Sequence, residues 1–450
     1  MVDLWNFQKT GVAWLRERDF GFLGMEMGCG KTATTLRACE ESRLVLVVCP
    51  IAVGNAWLRE AAKWCPQRRT CLAVSGSTAS RAAKVAAAIA TGDAILLVVN
   101  YEAVHRGALA KIISSTPWDA IVLDESHKIK SPAGRASRWL AKLAAKYPHA
   151  KRICLSGTPT PNNPLDWWGQ FRFLDAKLLG PSFPAFRSRI AMCHSQYPGW
   201  VLGFRPDALA DLSRMIDPHV FRVTAAEVLD LPDTIHSRID VELGDVSRAY
   251  YDTLESDMVA LLGGGVVTAA NKLVVSLRLQ MATSGHAKLD SGETVTIAGE
   301  KTAAFSEWLS NLPAREPIVV FCRFIADIDA VHATCRASGR TTSEVSGRVK
   351  QLEQWQDGET DVVIVQQQAG GLGIDLTRAS VAVYYSISHS LGDYEQSLAR
   401  LHRPGQKHCV RYFHLVAIDT IDEAVYEALE DKRDVVESIL ARLTRRTNNG

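Results

Sequence analysis

Short, continuous apolar runs alternate along this chain with longer amphipathic stretches. Each run is rich in Val, Ile and Leu, which is the pattern of a strand buried on both faces. Such strands, separated by segments of helix length, predict parallel sheets covered by helices on both sides. The runs form two series, so we expect an α/β chain with two sheets. The first series is 43–50, 94–100, 119–125 and 152–158, and the second is 317–323, 361–367, 381–386 and 409–416.

The chain between the two series has a different pattern, helical and irregular, with aromatic residues and prolines. A proline follows a predominantly helical stretch at 229–234, and proline disfavours helix in the residue before it. We therefore predict an amino-terminal lobe of residues 1–230 with a helical insertion at about 162–225. The second lobe then comprises residues 231–450, with a helical insertion at about 245–290. A length of 450 residues suits at least two domains.

The composition narrows the class of protein but leaves the function open. Hydrophobic residues make up 47% of the chain, yet no apolar run reaches the roughly 18 to 20 residues that a membrane span needs. The first residues also lack the pattern of a signal peptide, so we expect an intracellular protein without a membrane partner. None of the ten cysteines forms a CxxC pair, which argues against a zinc or redox motif. The formal net charge of +2 neither requires nor excludes a nucleic-acid partner.

A glycine-rich segment, "MGCGKT", lies between an apolar run and a helix-forming stretch. Gly28 and Gly30 allow backbone amides to turn towards phosphate oxygens, Lys31 adds a positive charge, and the Thr32 hydroxyl suits Mg²⁺. The strict pattern GxxxxGK[ST] requires a further glycine where this chain has Met25. The segment thus predicts a phosphate-binding loop, with a structural turn as the alternative.

An acidic pair follows the apolar run at 119–123, at the end of a strand where α/β sheets place their chemistry. Asp124 is suited to hold Mg²⁺, and Glu125 is suited to orient and deprotonate an attacking water. His127 lies where it can couple this site to a neighbouring one. A solvated loop is the ordinary interpretation of an isolated acidic pair, but a phosphate-binding loop upstream favours an ATPase.

The segment "LSGTPTPNNP" follows another strand and places small hydroxyl groups beside prolines that restrict the loop. Ser156 and Thr158 are therefore candidates for sensing the γ-phosphate and relaying its state. Taken alone, the segment is an ordinary turn.

These three segments, in this order, resemble motifs I, II and III of the Swi/Snf-type ATPases of helicase superfamily two. The stretch "LWNFQKTGVAWL" is similar to the adenine-reading element of that family, and the resemblance implies that Gln8 binds adenine. The stretch "VVCPIAVGNAWLREAAKW" resembles motif Ia, which implies that Pro50 and Asn55 lie on a nucleic-acid backbone. A strand edge and a packed helix are the structural alternative for motif Ia.

The second lobe carries further segments similar to this family. The stretch "QQQAGGLGIDLTRAS" resembles motif V, in which Gly371 and Gly373 would approach the nucleotide. Gln368 stands within a Gln run where the family has Ser-Thr-Arg, so an amide would replace the usual hydroxyl contact to DNA. The stretch "IVVFCRFIADIDAV" resembles motif IV, and Arg323 would face a backbone phosphate or the solvent.

The most specific match is "EQSLARLHRPGQ", which resembles motif VI. Arg400 and Arg403 are three residues apart, a spacing that predicts one shared helical face. Aimed at a nucleotide on the other lobe, they would act as arginine fingers on the transition state, and Gln396 would couple the lobes. The ordinary alternative is two surface arginines paired with carboxylates. The chain has Ala399 where the family normally has aspartate.

The resemblance implies two RecA-like parallel-sheet lobes with helical insertions between them, using ATP and Mg²⁺. It also implies an ATPase that is stimulated by double-stranded DNA and translocates on it, working as a monomer in the cytoplasm or nucleoid of a bacterial or virus-infected cell. A strand-separating helicase acting on DNA or RNA, including single-stranded DNA, is the alternative in the same class. An ATP-gated nucleic-acid-binding scaffold without motor activity is the alternative in another class.

Overall fold

A computed structural model gives the arrangement of these segments for residues 3–73, 76–157, 163–193, 201–263, 269–289, 291, 293–367, 374–388 and 390–431. The chain divides into two compact units, Met1–Asp230 and Leu231–Gly450, which we call the first and second lobes. No helix in the described ranges is both long enough and apolar enough to cross a membrane.

The first lobe is built on a seven-stranded parallel sheet. Alternate residues of one inner strand, Leu44–Cys49, enter different cores: Leu46 and Val48 pack on one face, while Val45 and Val47 pack on the other. The predicted two-sided burial of this sheet is therefore confirmed. The strands of the lobe are β1 (Phe20–Met25), β2 (Leu44–Cys49), β3 (Arg69–Ala73), β4 (Ile95–Asn100), β5 (Ala120–Leu123), β6 (Lys151–Ser156), β7 (Ala191–Cys193), β8 (Val201–Phe204) and β9 (Val220–Val223).

The spatial order of the sheet is β3-β4-β2-β5-β6-β1-β9, so the strands leading to the candidate motifs, β1, β5 and β6, are neighbours. β7 and β8 form a separate antiparallel hairpin. β9 lies within the segment predicted as a helical insertion, but it joins the sheet beside β1. The helices of the lobe are α1 (Asn6–Arg16), α2 (Lys31–Ala38), α3 (Gly54–Trp64), α4 (Thr78–Ala90), α5 (Gly107–Ser115), α6 (Arg135–Lys146), α7 (Asp166–Leu174), α8 (Phe183–Ile190), α9 (Pro206–Ile216) and α10 (Ala225–Val228).

The second lobe contains a six-stranded parallel sheet of order β10-β17-β16-β13-β15-β14 and a small hairpin, β11-β12. Both faces of the sheet are again covered by apolar cores. The prediction of two parallel-sheet lobes is confirmed. The strands are β10 (Thr234–Val241), β11 (His286–Lys288), β12 (Thr294–Thr296), β13 (Ile318–Cys322), β14 (Thr342–Val345), β15 (Val362–Gln366), β16 (Val381–Tyr384) and β17 (Val410–Ala417). The helices are α11 (Asp245–Gly263), α12 (Ala269–Thr283), α13 (Glu300–Ser310), α14 (Ile325–Ala337), α15 (Leu352–Gln356), α16 (Leu391–Leu401) and α17 (Ile421–Glu430).

Candidate active site

The glycine-rich segment forms a tight loop between β1 and α2. Gly28 and Gly30 have φ angles of 85° and 78°, in the left-handed region that side chains disfavour. Lys31 is the first residue of α2, and its Nζ donates to the carbonyl oxygen of Met25 at 2.9 Å. The segment thus has the local geometry of a phosphate-binding loop, with glycines before a helix N-terminus and a lysine over the loop. Thr32, the second residue of α2, is half-buried.

Gln8 packs against this loop from α1. Its Nε2 donates to the Cys29 carbonyl at 3.0 Å, and its Oε1 accepts from the Trp5 amide at 3.0 Å. A Cβ atom on Gly30 would lie 2.2 Å from Gln8 Nε2, so the close approach itself requires glycine there. Gln8 is 5% exposed and its amide group is bonded to the backbone. The proposed adenine contact remains a prediction.

Asp124 and Glu125 follow β5 at the same edge of the sheet as the loop. Asp124 Oδ2 accepts from Trp57 Nε1 at 2.8 Å, and Oδ1 accepts from the Glu125 amide at 3.0 Å. Burial, followed by the neighbouring Glu125 carboxylate, raises the pKa of Asp124 to about 6. Glu125 has a φ of 50°, a strained conformation for a residue with a side chain. A buried acid with a perturbed pKa, beside a second acid in a strained conformation, is typical of a catalytic position.

His127 lies beside this pair, with its Nδ1 atom 3.4 Å from Glu125 Oε2. Its side chain is 46% exposed, whereas that of Glu125 is 16% exposed. His127 therefore links the acidic pair to the surface, as its predicted coupling role requires. The role itself remains a prediction.

The third motif lies next to the phosphate loop, because β6 pairs with β1 and places Ser156 opposite Gly24. Ser156 is buried at the end of β6. A Cβ atom on Gly157 would lie 2.7 Å from Met27 Cε and 3.5 Å from Lys31 Nζ. The loop after β6 thus begins in contact with the first motif. Thr158 lies outside the described residues.

Pro50 and Asn55 lie between β2 and α3. Pro50 precedes a short 3-10 helix, Ile51–Val53, and Asn55 is an exposed residue in the first turn of α3. An exposed helix start after the carboxyl end of a strand suits the predicted backbone contact.

In the second lobe, Arg323 follows β13 and is half-buried. Its Nη1 donates to Gln280 Oε1 of α12 and to the Ile387 carbonyl oxygen, the latter at 3.4 Å. Burial lowers the pKa of this guanidinium to about 10. Arg323 is thus held by the protein itself, and its predicted phosphate contact requires at least part of this arrangement to open. Gln368, Gly371 and Gly373 lie outside the described residues.

The motif VI arginines do not share a helical face, and that prediction is wrong. α16 ends at Leu401, so Arg400 lies in its last turn while Arg403 follows the helix. The reason is local: Pro404 disfavours helix at Arg403, and Gly405 turns the chain with a φ of 106°. Arg403 Nη1 donates to the Ile374 carbonyl at 3.4 Å, whereas the Arg400 carbonyl accepts from the Leu376 amide at 3.0 Å. Gln396 is half-buried on α16.

Comparison with protein families assigns both lobes. The model of the SNF2-related domain matches residues 7–286, more than half of the chain. The chain belongs to the SNF2 family. The helicase conserved C-terminal domain matches residues 300–405. This SNF2 protein is therefore a helicase-like ATP hydrolase, as its motifs predicted.

Relatives of the SNF2 chain come from viruses, bacteria and eukaryotes. Protein p41 of Acyrthosiphon pisum secondary endosymbiont phage 1 is 29% identical, over 93% of this chain and 94% of that protein. An ATP-dependent helicase of Mycoplasma pneumoniae is 25% identical over 98% of this chain, and an ISWI chromatin-remodeling ATPase of Saccharomyces cerevisiae is 24% identical over 95%. The chain spans only 42% and 39% of those two relatives. The Sulfolobus solfataricus SWI2/SNF2 ATPase core, solved with double-stranded DNA, has a TM-score of 0.46 and 24% identity, covering 98% of this chain and 93% of that one.

Two site residues of the SNF2 protein were missed in the sequence. Trp57 supports Asp124, but in the sequence it is one aromatic residue in an amphipathic helix. Gln170 of α7 is 1% exposed and accepts from Ser126 Oγ at 2.6 Å, which ties the acidic motif to the helix beyond β6. The only signal was a glutamine within the aromatic-rich segment "DWWGQFRF".

Two members of the Gln run bond within the second lobe, whereas Gln368, the one predicted to contact DNA, lies outside the described residues. Gln366 Oε1 accepts from the Gly347 amide at 3.2 Å, and Gln367 Oε1 accepts from the Ser388 amide at 2.6 Å. Gln367 is 2% exposed. The first two glutamines therefore join loops within the second lobe, because long amide side chains reach backbone groups that Ser or Thr would not.

Proposed function

We propose that this SNF2-family ATPase is stimulated by double-stranded DNA and couples ATP hydrolysis to translocation along it. The observation that carries the proposal is the assembly at one edge of the first sheet. There, the phosphate loop with Lys31, the acidic pair Asp124 and Glu125, and Ser156 end three adjacent strands. Lys31 binds the terminal phosphates of ATP, and Glu125 orients the attacking water and accepts its proton.

The donor atoms at this edge suit Mg²⁺. The Thr32 hydroxyl and the Asp124 carboxylate are hard oxygen ligands, and Mg²⁺ typically takes one or two protein ligands together with phosphate oxygens and water. Asp124 is ionised at neutral pH although its pKa is raised to about 6. When bound, the ion neutralises charge on the β- and γ-phosphates. Trp57 holds the carboxylate in place by a bond to one of its oxygens.

Arg400 and Arg403 supply positive charge to the transferring phosphoryl group when the two lobes close on ATP. Hydrolysis then depends on closure, and closure moves the DNA-contacting residues of one lobe relative to those of the other. Gln8 recognises adenine, and Gly371 and Gly373 approach the nucleotide from the second lobe. His127, Ser156, Thr158 and Gln396 couple the nucleotide state to this motion.

Double-stranded DNA is the proposed track because the motifs resemble those of the Swi/Snf-type ATPases and the SNF2-related domain matches residues 7–286, which include the first lobe. Pro50, Asn55, Arg323 and Gln368 contact the phosphate backbone, so binding is independent of base sequence and weakens as salt rises. RNA and single-stranded DNA are the competing ligands. We infer that the protein acts as a monomer where DNA and ATP are both present, in the cytoplasm or nucleoid of a bacterial or virus-infected cell.

The first test measures ATP turnover with and without duplex DNA at a stated salt concentration. We expect turnover to rise on addition of duplex and to fall again as salt increases. Lys31→Ala should abolish hydrolysis, whereas Lys142→Ala, which removes an exposed lysine on α6, should leave it unchanged. Equal turnover with and without DNA would refute the motor proposal, and normal turnover in Lys31→Ala would exclude the phosphate-loop assignment.

The second test separates translocation from the two alternatives. Displacement of a third strand from a triplex, without separation of the underlying duplex, is expected of a duplex translocase. Robust unwinding of a forked duplex would favour a strand-separating helicase. DNA binding that responds to ATP in the absence of any hydrolysis would favour a scaffold.

A further inference from the structure

Helix α16, which carries Arg400, packs on a layer of aromatic side chains contributed by the sheet of the second lobe. Tyr384 ends β16, and its ring stacks on His414 of β17 with centroids 4.8 Å apart and planes 3° apart. The ring of Phe321 of β13 stacks on Tyr384 from the side opposite His414, with the ring centroids 4.8 Å apart. Tyr384, His414 and Phe321 are each fully buried. The helix therefore rests on rigid rings rather than on flexible aliphatic chains.

The polar atoms of this layer bond to α16 one turn before Arg400. Tyr384 OH bonds to Ser397 Oγ at 2.6 Å, and because Ser397 Oγ donates to the Tyr394 carbonyl, the tyrosine is the donor. Tyr412 OH donates to the Leu398 carbonyl at 2.7 Å. The two bonds attach consecutive residues of the helix to two neighbouring strands.

A third bond also joins the helix to the sheet, through a side chain of the helix. Tyr394, on α16, bonds through its hydroxyl to His414 Nε2 at 2.9 Å. Three hydroxyl bonds thus fix both the rotation of α16 about its axis and its position along that axis. Since a helix turns about 100° per residue, a small rotation would redirect a side chain in its last turn.

We propose that Tyr384, Tyr412 and His414 are positioning residues that hold Arg400 in the direction needed for phosphoryl transfer. This inference rests on the proposed function, in which Arg400 stabilises the transition state. The aromatic layer does not touch the nucleotide; it acts through the helix. Loss of either hydroxyl lets α16 shift while the fold and the ATP-binding loop of the first lobe stay intact.

The test uses Tyr384→Phe and Tyr412→Phe, each of which removes one hydroxyl and keeps the ring. The matched control is Tyr385→Phe, because Tyr385 is adjacent in sequence and equally buried, but its hydroxyl bonds to Thr302 Oγ1 of α13 on the other face of the sheet. Each of the three variants removes one hydroxyl hydrogen bond from a buried tyrosine. Thermal unfolding of each full-length variant records the structural cost.

We expect kcat at saturating ATP and duplex DNA to fall about 3- to 10-fold in Tyr384→Phe and Tyr412→Phe, because small displacements of a catalytic group are costly. KM for ATP should stay within about twofold, and Tyr385→Phe should keep the wild-type kcat. In an Arg400→Lys background, where the guanidinium is already absent, Tyr384→Phe should have no further effect.

Equal kcat values for the three Tyr→Phe variants would overturn the inference, and so would an undiminished effect of Tyr384→Phe beside Arg400→Lys. Either result leaves the proposed function intact as long as Arg400→Lys itself lowers kcat. A normal kcat in Arg400→Lys would instead remove Arg400 from the proposed mechanism.

Discussion

Replacing Trp57 by Phe tests whether a buried indole sets the ionisation of the candidate Mg²⁺ ligand. Trp57 is 1% exposed and donates from Nε1 to Asp124 Oδ2 at 2.8 Å. This bond lowers the pKa of Asp124, opposing the larger effects of burial and of Glu125, which together raise it to about 6. Without the indole donor, the carboxylate holds its proton to a higher pH.

The size of the effect follows from the geometry. A hydrogen bond to a charged group contributes about 1.5–3 kcal/mol, and 1.36 kcal/mol corresponds to one pH unit. We therefore expect the acidic limb of the pH–rate profile to move upward by about one to two pH units. With a pKa of about 6, roughly 90% of Asp124 is ionised at pH 7 in the wild type. The variant should retain between about a half and a tenth of the wild-type rate at that pH, and should recover as the pH rises.

The assay is kcat/KM for ATP measured between pH 5.5 and 9, since this quantity reports ionisations of the free enzyme. Trp64→Phe is the matched control, because Trp64 lies on the same helix and donates its Nε1 to Glu60 at 2.8 Å, away from the site. Its profile should coincide with that of the wild type. An acidic limb that is unchanged in Trp57→Phe would refute the reasoning.

Three further predictions follow from buried or strained groups. Asp124→Asn should abolish hydrolysis and raise the free energy of unfolding at pH 7 by about 1–3 kcal/mol. The reason is that a carboxyl whose folded-state pKa is raised to about 6 destabilises the fold as the pH rises through that value and the group ionises. Denaturant titrations at pH 5 and 7 measure this effect, and equal stability of the wild type at the two pH values would contradict it. Gly30→Ala should destabilise the fold by about 1–2 kcal/mol and prevent ATP binding, because it combines a φ of 78° with a Cβ placed 2.2 Å from Gln8 Nε2; retained binding of a fluorescent ATP analogue would count against it. Lys301→Met should lower the free energy of unfolding by about 3–5 kcal/mol, because it leaves the Asp422 carboxylate buried without the ammonium that lies 2.5 Å from it. Urea unfolding measures this change. Adding Asp422→Asn to Lys301→Met should restore part of the lost stability.

The central strands could be predicted from the sequence because a strand buried on both faces must be apolar at every position. β2, β4 and β13 each lie within their predicted runs. The strands not assigned in advance include all four sheet edges, β3, β9, β10 and β14. Edge strands have partners on one side only, so their sequences carry polar residues, as in "TIHSRIDV" of β10, and resemble the neighbouring irregular segments.

The loops of the first lobe were predictable for a similar reason. The candidate phosphate loop has glycines in left-handed conformations before a helix, and the acidic pair follows a strand end, so both are visible as local patterns in the sequence. The spacing of Arg400 and Arg403 predicted a helix that includes both residues, whereas α16 ends at Leu401. The spacing alone takes no account of the proline that follows Arg403. Pro404 was visible in the sequence, but only the structure showed that it ends the helix before Arg403.

The sequence by itself determined the order of the motifs, the apolar runs that become the inner strands and the residue types proposed to bind phosphate, since each is a local pattern along the chain. Only the tertiary structure decided which distant groups support them. The indole over Asp124 comes from 67 residues away, and the amide over Ser126 from 44 residues away. Such contacts are set by the packing of helices against the sheet, and packing selects a buried Trp or Gln by shape and hydrogen bonding, which leave no periodic signal along the chain.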